Sequence, residues 1–159
     1  MRITNSFFNA TVPARCETVF MMPTKGVTRA GYAFAEFEAA RSTIRQAFAH
    51  GNWDGYGALP IADETKKNAL GALNHLEILT CAPEITSNPN GTLSFEWESN
   101  RGFGQLEIGR TRYSFYVQPH NGVSVLDSGD ASEVNSAIGL LVDALLYPKP
   151  SHPVTAPLR

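Results

Sequence analysis

A chain of 159 residues, 43% apolar and 18% charged, suits one domain that buries a core without disulfide or metal staples. Its net charge of −2 and pI of about 6.1 leave no basic field to neutralise phosphates, which disfavours nucleic-acid binding by charge alone. Met1 to Ser6 lacks the apolar run of a secretory signal, and the longest apolar run, Ile138 to Leu146, is interrupted by Asp143, so no membrane span is expected.

The first thirty residues allow two readings. Ser6 to Val12 and Glu17 to Met22 read as short strands broken by Pro13 and Pro23, or the whole segment reads as an arm that orders on a partner. From Tyr32 to Ala49 the period becomes helical, with Ala33, Phe37, Ala40, Ile44 and Phe48 in one stripe. His50 and Gly51 close that helix. Asn52-Trp53-Asp54-Gly55-Tyr56-Gly57-Ala58-Leu59-Pro60 then forms a short non-helical link rich in aromatics and glycine. A second helix is predicted from Asp63, as its cap, to Thr80, burying Ala69, Leu70, Ala72, Leu73, Leu76 and Leu79 before Pro83.

Asn88-Pro89-Asn90-Gly91 signals a turn, after which the period drops to two. Leu93, Phe95 and Trp97 alternate with polar residues, as do Leu106 and Ile108, then Tyr113, Phe115 and Val117, then Val123 and Val125. Short links after Glu98, Ile108 and Gln118 make these four runs an antiparallel meander with one buried and one wetter face. A third helix is predicted over Ala131 to Tyr147, capped by Asp130 or Ser132 and ended by Pro148. The fold class is α+β: a four-stranded antiparallel meander, extendable by the N-terminal strands, with about three helices on one face. The expected organisation is strands or an arm over 1–30, one domain over 31–148 and a flexible proline-rich tail over 149–159.

Chemistry is sparsely signalled. Cys16 and Cys81 stand far apart with no CxxC or His/Cys cluster; the pair allows a disulfide without implying one, buried or free thiols in a reducing cytosol are the favoured reading, and no metal or cofactor is expected. His50, His75, His120 and His152 show no ligand spacing, and neither a nucleophile elbow nor a phosphate-binding glycine loop is present. In the link, Trp53 is expected to anchor the loop into the core, Asp54 to bond turn amides, Gly55 and Gly57 to take positive φ, and Tyr56 to be presented. Glu96, Glu98 and Glu107 fall on the polar side of the meander. They read either as a solvated face balanced by Arg110 and Arg112 or, for Glu96 with Glu107, as a carboxylate pair.

The run Trp53-Asp54-Gly55-Tyr56-Gly57-Ala58 with Pro60-Ile61 resembles the hallmark of a broad group of small bacterial proteins. In that group a helix, a Pro-x-Ile stretch, a Pro-x-Gly turn and a strand ending in Glu-Trp follow. Here these are Pro83-Glu84-Ile85, Pro89-Asn90-Gly91 and Leu93 to Trp97, so the likeness spans roughly Asn52 to Val125. The resemblance implies no established activity; it implies interaction proteins of mobile elements, antitoxin-like or acting in phage–host conflict. The leading expectation is a non-catalytic cytoplasmic module that binds another protein through Trp53, Asp54, Tyr56, Glu96, Arg112 and Tyr116, with a homodimer through an open sheet edge also allowed. The alternative is a small hydrolase using Glu96 with Glu107, or Asp54 with a histidine. A third, disfavoured by the net acidity, is base stacking by Tyr113 or Tyr116 beside Arg101, Arg110 and Arg112.

Overall fold

The computed structural model describes residues 29–148. The proposed strands before residue 29 and the tail after residue 148 lie outside the described residues. Three helices, α1 (Arg29–Gln46), α2 (Asp63–Leu76) and α3 (Ser136–Leu146), flank a five-stranded antiparallel sheet. Its strands are β1 (Glu84–Ser87), β2 (Leu93–Ser99), β3 (Gly102–Ile108), β4 (Arg112–Pro119) and β5 (Val125–Asp130), in that spatial order. The α+β class and the meander match the expectation; the strand number does not. The fifth strand, β1, is only four residues long, too short for its alternation to mark it in sequence. Its register is supplied by β2: Ile85 lies opposite Phe95 and Glu84 opposite Glu96.

Period-two patterning decides which face is covered. Leu93, Phe95, Trp97, Leu106, Ile108, Phe115 and Val117 are all buried and point to the side carrying α2 and α3. The helices contribute Phe37, Ile44, Leu73, Leu76, Ile138 and Val142 to the same core. Trp97 is its largest member: 2% exposed, edge-on to Phe95, its indole Nε1 donating to the Cys81 carbonyl at 3.1 Å. The other sheet face carries no helix among the described residues.

Element ends depart from expectation for local reasons. α1 stops at Gln46, three residues early, because Phe48 leaves the helix: its carbonyl accepts the Ile61 N–H at 2.8 Å and its ring stacks on Trp53. The left-handed residue beyond it is Asn52, φ 57°, rather than Gly51. α2 ends at Leu76, with Leu79 and Thr80 returning their amides to the Leu76 carbonyl. Asp63 is its first helical residue and not its cap; it sits with Glu64 in the first turn, where acids suit the helix dipole. The predicted third helix splits in two. Asp130 accepts from the Ser132 amide to cap a 3-10 turn, Ala131–Glu133, and Asn135 caps α3. β5 starts at Val125, leaving Val123 85% exposed.

Among the described residues no cysteine is free: Cys81 is disulfide-bonded, with its partner outside those residues. That corrects the reading of free thiols and withdraws the support it lent to a reducing cytosol. No helix among the described residues is long and apolar enough to cross a membrane.

Two polar contacts tie the elements together and are testable. Arg41 on α1 is only 12% exposed and forks onto Glu77 beyond α2, at 2.5 and 3.3 Å, while also meeting Glu38 and Asn74. The Glu77 hydrogen bond is the chief cause raising its guanidinium further above an already high ordinary value. Arg41→Ala should lower unfolding stability by about 1–2 kcal/mol, and Arg41→Lys should recover less than half, since lysine lacks the fork. Denaturant titration reads both; full recovery by lysine would rule out the fork geometry.

The second contact is Tyr147, just past α3. Its hydroxyl donates to the Glu98 carbonyl at 3.0 Å, while Ser99 Oγ donates to the Leu146 carbonyl at 3.0 Å. Burial, with the Glu98 charge second, pushes the phenol up to about 12. A raised folded value means stability is complete below the ordinary phenol value of about 10 and is lost as pH climbs through the folded value. Stability should therefore fall by roughly 1–2 kcal/mol between about pH 10 and 12, the figure being discounted for the ring's partial solvent contact. Tyr147→Phe should flatten most of that slope, with Tyr113, raised mainly by burial, supplying the remainder.

Candidate functional site

The link between α1 and α2 is built on itself. Asp54 Oδ1 accepts the amides of Tyr56 and Ala58 at 2.8 and 3.1 Å, an Asx arrangement that bends the chain back. Asn52 Oδ1 accepts the Gly57 amide at 2.9 Å, and the Asn52 amide donates to the Ala58 carbonyl at 2.6 Å. The indole of Trp53 lies flat on Phe48, centroids 4.5 Å apart, and donates to the Leu59 carbonyl at 3.1 Å. Gly55 at φ 78° and Gly57 at φ 93° supply the left-handed steps, where a side chain would be strained. Ala58 and Ile61 are buried beneath, whereas Tyr56 is 95% exposed and Leu59 57% exposed. The expected roles of Asp54, both glycines and Tyr56 thus have structural counterparts. Trp53 anchors the loop on Phe48, at the surface and not in the central core.

The Asp54 carboxyl is held below the ordinary aspartate range, first by the Tyr56 amide and then by that of Ala58. A depressed folded value contributes stability above the unfolded value and loses it as pH falls through the folded one. Hydrogen exchange at the Tyr56 and Ala58 amides, corrected for intrinsic rates, should therefore lose protection below about pH 4. Asp54→Ala should abolish that protection at every pH; unchanged protection in the variant would break the assignment.

The loop abuts the sheet at the β1–β2 turn. The Leu59 amide donates to the Pro89 carbonyl at 2.8 Å. Gly91, φ 84°, comes so close that a Cβ there would stand 3.1 Å from the Pro60 carbonyl oxygen. The same turn sends polar side chains onto the open face. Asn88 Nδ2 donates to Thr92 and to Ser94, which is fully buried by this cover. Thr92 Oγ1 and Asn90 Nδ2 donate to Glu107 at 2.6 and 3.0 Å; Gln105 Nε2 donates to Ser94 and, at 3.3 Å, to Glu96.

These contacts revise the reading of the carboxylates. Glu96 and Glu107 are held by neutral amides and hydroxyls, and among the described residues neither pairs with Arg110 or Arg112. They occupy different rungs, Glu96 opposite Gln105 and Glu107 opposite Ser94 and Ser114. Glu107 borders a shallow depression of about 270 Å³ that Glu96 does not line. A hydrolytic pair needs convergence in a cleft; here Glu107 is held by Asn90 and Thr92 of the turn, and Glu96 by Gln105 on β3. Asp54 likewise spends its oxygen on the backbone and makes no hydrogen bond to a histidine. His50, His75 and His120 are exposed, and among the described residues no three acidic, histidine or cysteine side chains gather as a metal site.

Beyond this network the open face turns apolar. Tyr116 on β4 lies beside Phe103 on β3, centroids 5.8 Å apart, and opposite Leu126 on β5, which is 77% exposed. Arg112 is exposed at the end of this face, opposite Asp130. Tyr113 is corrected: it points to the covered side, 8% exposed, and donates to Asp127 at 2.9 Å, so it cannot stack a base. Sequence reasoning missed Phe48, Asn88, Gln105, Phe103 and Leu126. The helical stripe includes Phe48, Asn88 acts within its own turn, and the others act only through cross-strand register. Asn52 was detectable, since Asn beside glycines tolerates the left-handed region.

The loop and the edge of the open face thus meet at the β1–β2 turn. Comparison with protein families, with curated proteins and with solved structures finds no match to this chain.

Proposed function

We propose that this protein is a non-catalytic interaction module that binds another protein through the Trp53–Pro60 loop and the adjoining open sheet face. The carrying observation is Tyr56: a large aromatic 95% exposed on a loop whose backbone is already tied by Asn52, Asp54 and Trp53. Such a loop loses little conformational entropy on binding, and exposed tyrosine is a favoured contact residue. Leu59 beside it, and Tyr116 with Leu126 across the sheet, supply apolar area. Glu96 and Arg112 supply polar rim groups. The likeness of the loop to the bacterial hallmark group adds a biological class, antitoxin-like or phage–host conflict, on motif grounds alone.

The test is affinity capture from the native host with the parent protein and with Tyr56→Ser/Leu59→Ser, followed by titration of the recovered partner. Loss of capture by the loop variant, with its melting temperature unchanged, is expected. Equal recovery by both proteins would remove the loop from the interface. Light scattering of the purified protein distinguishes a second copy of the chain from a different partner.

A further inference from the structure

The turn between β3 and β4, Gly109-Arg110-Thr111-Arg112, is pinned from the helix side. The Gly109 amide donates to the Arg112 carbonyl at 2.9 Å and closes the turn. Asn68 of α2, itself buried, donates from Nδ2 to the carbonyls of Gly109 and Arg110 at 3.3 and 3.0 Å. The Ala131 amide donates to the Thr111 carbonyl at 3.0 Å. In a planar trans peptide the N–H points opposite to the carbonyl before it. Drawing the carbonyls of 109 and 110 to Asn68 therefore turns the N–H groups of Arg110 and Thr111 away from α2. Among the described residues neither N–H has an acceptor.

Two exposed arginines flank these amides. Arg110, Thr111 and Arg112 line the depression of about 270 Å³ with Thr92, Glu107 and Ser114. Among the described residues neither guanidinium has a hydrogen bond or an ion pair. The nearby acids are engaged elsewhere: Asp130, opposite Arg112, accepts from Ser132, and Glu107 accepts from Asn90 and Thr92. Successive amides whose carbonyls are turned away make an anion-binding concavity, and the arginine fork matches oxyanions. Two guanidiniums and two amides offer more donors than the two oxygens of a carboxylate use. The three terminal oxygens of a phosphate monoester suit them better.

We propose that this hairpin tip is an oxyanion site for the phosphate group of a phosphate monoester, held by Arg110, Arg112 and the amides of Arg110 and Thr111. It is separate from the Trp53–Pro60 loop and is read on the purified protein without a partner. Titration with inorganic phosphate, ionic strength being held with chloride, should shift the Arg110 and Thr111 amide resonances saturably, with a dissociation constant of about 1 mM or tighter. Arg110→Ala and Arg112→Ala should each weaken binding at least about fivefold with unchanged melting temperature. Glu107→Gln keeps an oxygen for Asn90 and Thr92 but removes a negative charge from the lining, so binding should tighten about twofold or more. A phosphoserine peptide with neutral flanks that binds more tightly than inorganic phosphate would make a modified side chain the source. Equal affinity would make free phosphate the source, and either result supports the site. Shifts that grow linearly without saturating, equal affinity for acetate, or unchanged binding in both arginine variants overturns the proposal.

Discussion

Trp97→Ala is expected to destabilise the domain by about 3–5 kcal/mol, the range for removing a buried large aromatic. The magnitude follows from three losses at one site. The indole is buried in the core at 2% exposure, it meets the edge of Phe95, and its Nε1 donates to the Cys81 carbonyl at 3.1 Å. Stability of an ordinary domain is about 5–15 kcal/mol, so the variant should be marginal at room temperature. Trp97→Phe keeps most of the apolar volume but leaves the Cys81 carbonyl without its donor, so a loss of about 1–2 kcal/mol is expected. Denaturant unfolding gives both values. A loss below about 1 kcal/mol for the alanine variant would contradict the packing around Trp97.

Tyr56→Ala is expected to weaken partner binding tenfold or more, about 1.4 kcal/mol or above, while leaving unfolding stability within about 0.5 kcal/mol of the parent. The separation arises because a side chain 95% exposed contributes almost no buried area to the fold. Trp53→Ala should behave differently. It removes the stack on Phe48 and the bond to the Leu59 carbonyl, so both stability and binding should fall. If Tyr56→Ala reduces stability as much as Trp53→Ala does, the tyrosine belongs to the fold and the interaction reading loses its main support. If binding survives Tyr56→Ala and fails with Tyr116→Ala, the contact lies on the sheet alone.

The loop was the most legible feature of the sequence because its structure is local. Asp54 bonds residues two and four positions on, and Asn52 reaches Gly57 and Ala58, so residue type and spacing suffice to anticipate the turn. The meander was legible for a similar reason, since alternation over Leu93 to Trp97 and Tyr113 to Val117 carries its own period. The carboxylates were not. Whether Glu96 and Glu107 face each other, an arginine or a neutral amide depends on strand register and on the path of the β1–β2 turn, and these contacts link residues up to seventeen positions apart.

By itself, then, the chain's residue pattern determined the α+β class, the positions of three amphipathic helices, the buried side of the central strands and the self-bonded loop with Tyr56 at its tip. All rest on interactions within a few residues or on a simple period. Tertiary structure alone decided that Phe48 leaves α1 for Trp53, that Glu84–Ser87 adds a fifth strand, that Tyr113 is turned inward, and that loop and open face meet at one turn. Each requires knowing which other segment satisfies a given hydrogen bond or buries a given ring, and tertiary pairing of that kind leaves no periodic trace in sequence.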